Sequence, residues 1–387
     1  MRIVVTGLIA TYPVGGVAWD YLQYAHGLAA LGHRVTYLED TGQWVYSPRL
    51  QTFTEECGEN LAHLASALGR GPKTIAWAFR DPLGVVHGMD EAALRRACRD
   101  ADLFLNVSGA CWLREEYRGR GVACYLDTDP CYSQAKLVAA EEEAADEDLR
   151  YSAAMIRSHD VFFSFAENIG QPDCAIPTAG LTWRPTRHPV VLADWPLRGV
   201  LGDGAYTTVM SWKIDVSAPV VGGRRYGDKS VEFMKVLGLP GRTGATLEVA
   251  LAGAAPVDRL RAAGWRIVDA GKISATPEAY QDYIARSRGE FSVAKEAYVA
   301  TRSGWFSTRS ASYLAMGKPV VIQDTGLAEH YPIGEAILLF SDVDEAAAAL
   351  AMVEHDYERR CRAARALAAE AFDSQRILNK LLAVAGC

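Results

Sequence analysis

The sequence predicts an α/β protein built from two Rossmann-like domains that face each other across a cleft. Three observations carry this expectation. Short apolar, β-branched runs alternate with helical stretches along the chain, as in parallel sheets covered by helices on both faces. The alternation restarts in mid-chain, with one series opening at residue 2 and a second at residue 206. Between them, residues 175–196 break the rhythm with Pro177, Pro185, Pro189 and Pro196 and read as an interdomain linker. At 387 residues the chain has room for two such units. The expected division is a first domain over residues 1–195, with its linker at about 175–200, a second over 200–372, and a terminal helix over 373–387.

In order, residues 2–7 form an apolar strand, followed by a Pro/Gly loop over 8–16 and a helix from about 17 to 31. Gly32 and His33 close that helix, residues 34–38 form the next strand, and Glu39 and Asp40 follow at its carboxyl end. This is a doubly wound opening, in which ligands bind beyond the carboxyl ends of strands. The G-x-G-x-x-G fingerprint does not follow the first strand, which disfavours a nicotinamide oxidoreductase. Further strands are expected at 74–78, 103–107, 122–126 and 161–165, with helices near 55–68, 91–98 and 135–156. The acidic run 141–148 reads as a solvated face of the last helix.

The second series has strands at 206–211, 247–252, 265–268, 289–293, 319–323 and 337–340. Helices near 230–236, 256–263 and 277–287 lie between them, the second opened by Pro256, whose missing N–H costs nothing there. Helices over 343–354 and 357–372 follow, and Asp373 caps a last one to about 384.

Bulk properties narrow the class. Half of the residues are hydrophobic and 22% are charged, as in ordinary globular enzymes. A net charge of −7 argues against a general nucleic-acid binder. No apolar run approaches a membrane span, and the N-terminus reads as a strand rather than a signal peptide, so a cytoplasmic location is expected. The eight cysteines lie scattered without C-x-x-C pairs and read as reduced thiols. No zinc or other metal site is expected.

Residues 287–326 hold the strongest signal: a strand, a Gly/Ser/Thr-rich turn at 303–310, a helix ended by Gly317-Lys318-Pro319, and a buried strand. Such a unit offers backbone N–H groups and hydroxyls at a helix N-terminus, where an anion such as a diphosphate binds. Ser307, Thr308 and Ser310 can donate to phosphate oxygens, and Arg309 can add a charge-assisted pair. An ordinary helix cap at Ser307 or Thr308 is the plain alternative.

Gly304-Trp305-Phe306 and the run from Tyr313 through Gly317-Lys318-Pro319 to Val321 resemble the donor-binding segment of retaining glycosyltransferases with the GT-B fold. Pro13-Val14-Gly15-Gly16 followed by a helix and Gly32-His33 is similar to the acceptor domain of the same family. The resemblance implies transfer of a sugar from a nucleotide-diphosphate sugar to a small molecule, a natural product among them, or to a glycan. It also implies that the last helix crosses back to the first domain. The family's paired glutamates fall at about Gly304 and Ser312 here, so their sugar and ribose contacts do not carry over.

On this resemblance Lys213 is the first choice for meeting the charge of the leaving diphosphate, with Arg224, Arg225 and Lys229 behind it. A solvated basic loop is the alternative. Gly271, Lys272 and Ile273 would face the nucleotide base, and Asp324 the transferred sugar, unless Asp324 only caps the next helix. On the acceptor side the candidates are Gly15, Gly16 and Asp20, the last as base or as orienter of a sugar hydroxyl, unless it is simply an acid favoured in a helix's first turn by the dipole. Asp127 and Asp129 are read as cleft contacts rather than metal ligands, and Glu167 stands at another strand end. The catalytic set is therefore Asp20, Lys213 and Asp324. No cofactor besides the nucleotide sugar is expected, and a homodimer is compatible with the sequence. Two other readings stay open: an epimerase or hydrolase of nucleotide sugars, and a non-catalytic nucleotide-sugar-binding partner.

Overall fold

The computed structural model describes residues 1–71, 73–198, 204–213 and 218–387. The boundary read at residue 200 and the end of the expected linker lie outside the described residues. Two large sheets organise the chain. The first has eight strands, in spatial order Trp183–Pro185, Val161–Ser164, Val122–Asp127, Leu103–Val107, Arg2–Thr6, Arg34–Glu39, Ala76–Arg80 and Val86–Gly88. Every pairing is parallel except the last. The second has six parallel strands, ordered Arg266–Asp269, Leu247–Ala252, Tyr206–Ser211, Gly289–Ser292, Val320–Gln323 and Ile337–Phe340. Buried on both faces, such strands consist of apolar runs, and VVIQ and ILLF show this directly. In each sheet the opening strand lies inside the order, which creates a switch point where ligands bind beyond the strand ends.

Two expectations need correction, and two elements are additional. The proline-rich segment is not free of regular structure: Trp183–Pro185 pairs with Val161–Ser164 and extends the first sheet. Trp183 achieves this by packing edge-on against Phe162, with ring centroids 5.6 Å apart. The helix expected over 135–156 is two helices, Tyr132–Ala139 and Glu147–Arg157. Asp146 restarts the second by accepting a hydrogen bond from Leu149 N at 2.8 Å. A hairpin of Val45–Ser47 and Thr52–Thr54 and a short helix Glu296–Ala300 were not foreseen.

The largest core cluster runs through both halves of the molecule. Trp19 packs on Trp195, with ring centroids 4.8 Å apart, and donates through Nε1 to Pro277 O at 2.9 Å. Asp373 caps the Ser374–Ala385 helix by accepting from Gln375 N and Arg376 N. That helix packs on the Gly15–Ala30 helix, where Gly27 leaves room for Leu378. The second half thus returns to cover the first.

Gly15 sets how closely the two halves approach. Its N–H donates to Ser274 O at 2.6 Å, Gly16 N donates to Ser274 Oγ at 3.0 Å, and a Cβ on Gly15 would stand 2.1 Å from Thr276 O. A backbone oxygen cannot yield as a flexible side chain does. Gly15→Ala is therefore expected to cost roughly 1–3 kcal/mol through overpacking. It should also lower activity by separating the domains. A variant that melts and turns over like the parent would refute this.

Candidate functional site

A cleft of about 1130 Å³ opens between the two sheets, at their switch points. Its first-domain wall includes Gly16, Asp20 and Tyr24 from one helix, Ser108, Thr128 and Asp129 from strand ends, and His188. Its second-domain wall includes Lys229, Lys295, Trp305, Ser307, Thr308 and Arg309, with Gly253 and 269–271 at the far side.

The helix Thr308–Ala315 points its N-terminus into this space. Ser307 is its N-cap residue, yet its side chain makes no capping hydrogen bond. The hydroxyl and the first N–H groups remain available to an anion. Arg309 is more committed than the sequence implied. It pairs with the fully buried Glu290 at 2.7 Å and donates to Val209 O and Ser292 Oγ. Burial acts against its charge, but Glu290 prevails and raises its pKa above the ordinary value.

Beside it stand two lysines. Lys229 is the first residue of the helix Lys229–Lys235. Burial, and then the neighbouring charges of Arg309 and Lys295, push its pKa down to about 7. Lys295 Nζ contacts Asp129 Oδ1 at 2.6 Å and lies 4.5 Å from the centroid of the Tyr132 ring. Burial would raise the Asp129 carboxyl, but Lys295 and the hydrogen bond from Tyr298 hold it below its ordinary value. Because Asp129 comes from the first domain and its partners from the second, this group ties the two walls together. Three cations concentrated in a buried cleft form a preorganised field for a polyanion.

Opposite the helix N-terminus is Asp20. Burial raises its pKa to about 6, opposed by a hydrogen bond from Thr308 and reinforced by the charge of Asp129. A carboxyl group with that pKa is a competent base near neutrality. The loop before its helix is held by Glu39, which is wholly buried and accepts from Ala10 N, Thr11 N, Thr11 Oγ1 and Tyr37 OH at 2.7–2.9 Å. Glu39 is thus a structural group, and burial raises its own pKa to about 7.

The structure brings Asp20, Gly16, Asp129, Gly271, Ser307, Thr308 and Arg309 together in the cleft. Other expected residues lie elsewhere. Lys213 is exposed and does not line the cleft, although Ser211, two residues earlier, does. Arg224 sits on an outer two-residue strand, exposed and paired with Glu296 at 3.0 Å. Ser310 is fully buried with its hydroxyl unpartnered in the protein. Lys272 is exposed, and Ile273 packs against Ala250, Ala270 and Tyr283. Asp127 is buried and accepts from Ser133, Gln134 and Ser164, so it anchors strand ends. Glu167 pairs with Arg187 and accepts from Tyr331. Asp324 caps its turn, accepting from Gly326 N at 2.8 Å and Leu327 N at 3.2 Å. Gly15 packs against the second domain, as described above.

Three cleft residues stood outside the sequence-based site, Lys295, Tyr24 and His188, while Lys229 was named there behind Lys213. Lys295 stands three residues past the strand that opens the strongest sequence signal, and its place just beyond a strand end was the available clue. The positions expected to hold glutamates are closed to them. Gly304 adopts φ +70°, and a Cβ there would lie 3.0 Å from Asn168 of the first domain. Ser312 is buried, with its hydroxyl donating to Thr308 O at 3.3 Å.

Among the described residues, no group of three metal-ligating side chains is placed to hold an ion, and no helix is long and apolar enough to cross a membrane. The eight cysteines are free thiols.

Comparison with known proteins places this architecture. Residues 235–383 match a family model described as Glycosyl transferase-like. No curated protein matches the chain. Among solved structures, Anabaena HepE in complex with UDP and glucose aligns with a TM-score of 0.57 at 11% identity, covering 100% of this chain and 99% of its own. Sucrose-phosphate synthase from Thermosynechococcus elongatus aligns at 0.54 with 15% identity, covering 99% and 98%. An alpha-glucosyltransferase in complex with UDP and a 13-mer DNA containing an HMU base aligns at 0.57 with 10% identity, covering both chains fully. At these identities the likeness speaks for the fold. The chain has the GT-B fold.

Proposed function

We propose that this GT-B protein transfers a sugar from a nucleoside-diphosphate sugar, seated on the second domain, to a hydroxyl of an acceptor held by the first. The observation that carries this reading is the unspent N-terminus of the Thr308–Ala315 helix beside Lys229, Lys295 and Arg309, facing Asp20 across the cleft. The family match of residues 235–383 supports it, as do UDP complexes among proteins of the same fold.

In the reaction, the bond between the anomeric carbon and the diphosphate oxygen breaks, and the acceptor oxygen forms a new bond to that carbon. Charge gathers on the departing diphosphate. Ser307, the helix N–H groups and the three cations are positioned to meet it, and such preorganised donors lower the barrier without further rearrangement. We propose on this ground that transfer needs no divalent ion. Asp20 orients the acceptor hydroxyl and takes its proton. Closure of the two domains around the bound substrates would exclude water that otherwise hydrolyses the donor. The acceptor is proposed to be a small molecule or a glycan, and the working place of the enzyme the cytoplasm.

Thermal-shift measurements against UDP, dTDP, GDP and ADP and their sugars, with and without EDTA, test the donor site. One nucleotide is expected to raise the melting temperature whether or not EDTA is present. Ser307→Ala should reduce the shift while leaving the unliganded melt unchanged. If no nucleotide shifts the melt, the donor-site reading fails; a shift abolished by EDTA would overturn metal independence.

A further inference from the structure

The first-domain wall of the cleft has an apolar part that a diphosphate does not use. Val14, Val17, Tyr46, Pro48 and Gln51 all line the cleft. Val17 stands three residues before Asp20 on the Gly15–Ala30 helix, so the two share a face. Tyr46 belongs to the hairpin of Val45–Ser47 and Thr52–Thr54. Its ring meets Tyr12 at 6.4 Å and Phe53 at 5.7 Å, and Tyr12 and Phe53 meet edge-on at 5.9 Å. Phe53 is 47% exposed and Leu50, on the same hairpin, 45%, while both tyrosines are half-buried. The apolar surface therefore continues from the cleft out over the hairpin, and its rings keep part of their area open to a ligand.

The hairpin is held firmly in place. Tyr46 N donates to Thr11 O at 2.8 Å. Asn60, buried on the Gly58–Leu68 helix, donates to Ala10 O at 2.8 Å and to Tyr46 O at 2.9 Å. These bonds clamp the hairpin to the loop that carries Tyr12. Gln51 adopts φ +54°, a conformation that non-glycine residues seldom hold unless the surroundings impose it. Accessible aromatic rings in a fixed frame beside a cleft suit the binding of a flat apolar molecule.

We propose that this surface receives the acceptor and that the acceptor is a planar phenol. The proposal rests on the glycosyl-transfer reading and deepens it by naming the acceptor class. The phenol lies along Val17 and Tyr46, with its hydroxyl at Asp20 and its far end toward Phe53. It gives its proton to Asp20, and its oxygen bonds to the anomeric carbon as the nucleoside diphosphate leaves with the bonding pair. A glycan would fit poorly, because its hydroxyls need polar partners when they leave water. This part of the wall offers the Tyr46 hydroxyl and the Gln51 amide. Further along, the Ser108 and Thr128 hydroxyls bond each other at 2.8 Å, and Asp129 is tied to Lys295.

Calorimetric titration tests the site with methylumbelliferone and quercetin as planar phenols, maltotriose as a glycan, and UDP, dTDP, GDP and ADP. The proteins are the parent, Tyr46→Ser, Phe53→Ser, Phe53→Trp and Leu83→Ser. Leu83 is 77% exposed and does not line the cleft, so its variant controls for adsorption to any apolar patch. The parent should bind both phenols more tightly than maltotriose. Tyr46→Ser and Phe53→Ser are each expected to weaken the phenols about tenfold and to leave the nucleoside diphosphate within twofold. Phe53→Ser removes a ring that is largely in solvent, so its melting temperature should hold. Phe53→Trp should keep the parent affinity, and Leu83→Ser should match the parent throughout. Phenols that fail to bind the parent, or that bind both serine variants as tightly, would overturn the proposal and leave the glycosyl-transfer reading intact. Tighter binding of maltotriose would overturn the acceptor class, and an equal loss in Leu83→Ser would show adsorption only. Release of the parent's binding to phosphatidylglycerol vesicles by Phe53→Ser, with phenol affinity unchanged, would make the hairpin a membrane contact instead. A parent that binds no nucleoside diphosphate would overturn both readings.

Discussion

Lys229→Met is expected to lower kcat by about 10²–10³-fold, the usual loss when one preorganised donor to a developing negative charge is removed. The parent should also show a proton signature. Burial pushes the lysine's pKa down to about 7, so at pH 8 most molecules carry it neutral. A bound diphosphate supplies the opposite charge that burial withholds, and its binding should draw in close to one proton. Calorimetry at pH 8 in two buffers of different ionisation enthalpy measures that uptake, which Lys229→Met should abolish. Stability adds a third readout with a definite sign. The unfolded chain binds more protons at this site between pH 7 and about 10, so the lysine's contribution to stability rises with pH across that window. Below pH 7 its buried charge is at its most costly. The methionine variant should therefore gain most over the parent near pH 6 and least near pH 10. A kcat within threefold of the parent, or unchanged proton uptake, would show that Lys229 does not face the diphosphate.

Asp20→Asn should reduce kcat/KM by about 10²–10⁴-fold, the range assigned to a general base. The Asp20 pKa is raised from 3.8 to about 6, so the folded state holds the extra proton between these values. Its contribution to stability falls as pH rises through that window and stays low above it. The asparagine variant should thus melt with the parent near pH 4 and above it at pH 8. In the parent, kcat/KM should rise through pH 6 as Asp20 ionises and decline above pH 7 as Lys229 loses its proton, and the variant should lack the acid limb. A fully active variant, or one that loses stability at pH 8, would remove Asp20 from the chemistry.

Much of the fold was legible because burial leaves a local record. A strand covered on both faces must be apolar throughout, and VVIQ followed after a gap by ILLF can hardly be read otherwise. Gly317-Lys318-Pro319 ends a helix wherever it stands, and Asp373 caps one by the reach of its own side chain. The misreadings have the same origin. The run from 135 to 156 keeps helical composition throughout, so its break at Asp146 is invisible to periodicity. Trp183–Pro185 joins a sheet in spite of its proline because it lies at the edge, where a missing N–H is tolerated.

The candidate site was legible at one end only. The helix start at Ser307 and Thr308 is written in contiguous residues, and so is the approach of Gly16 and Asp20. The choice among cations was not. Lys213, Arg224 and Lys229 are close in sequence, yet Arg224 turns outward to Glu296 and only Lys229 enters the cleft. Whether a side chain near a strand end faces ligand or solvent depends on one or two residues of backbone direction, which composition does not encode.

From sequence alone, then, came two domains built on largely parallel sheets, their order and the helix whose N-terminus opens on the cleft, because these follow from periodicity and from residues in contact along the chain. The tertiary structure alone decided the Lys295–Asp129 tie, the cations that share one buried field, the closure of Gly304 against Asn168, and the meeting of Tyr24 with His188. Each of these joins segments far apart in sequence, and they are set by how the two domains pack.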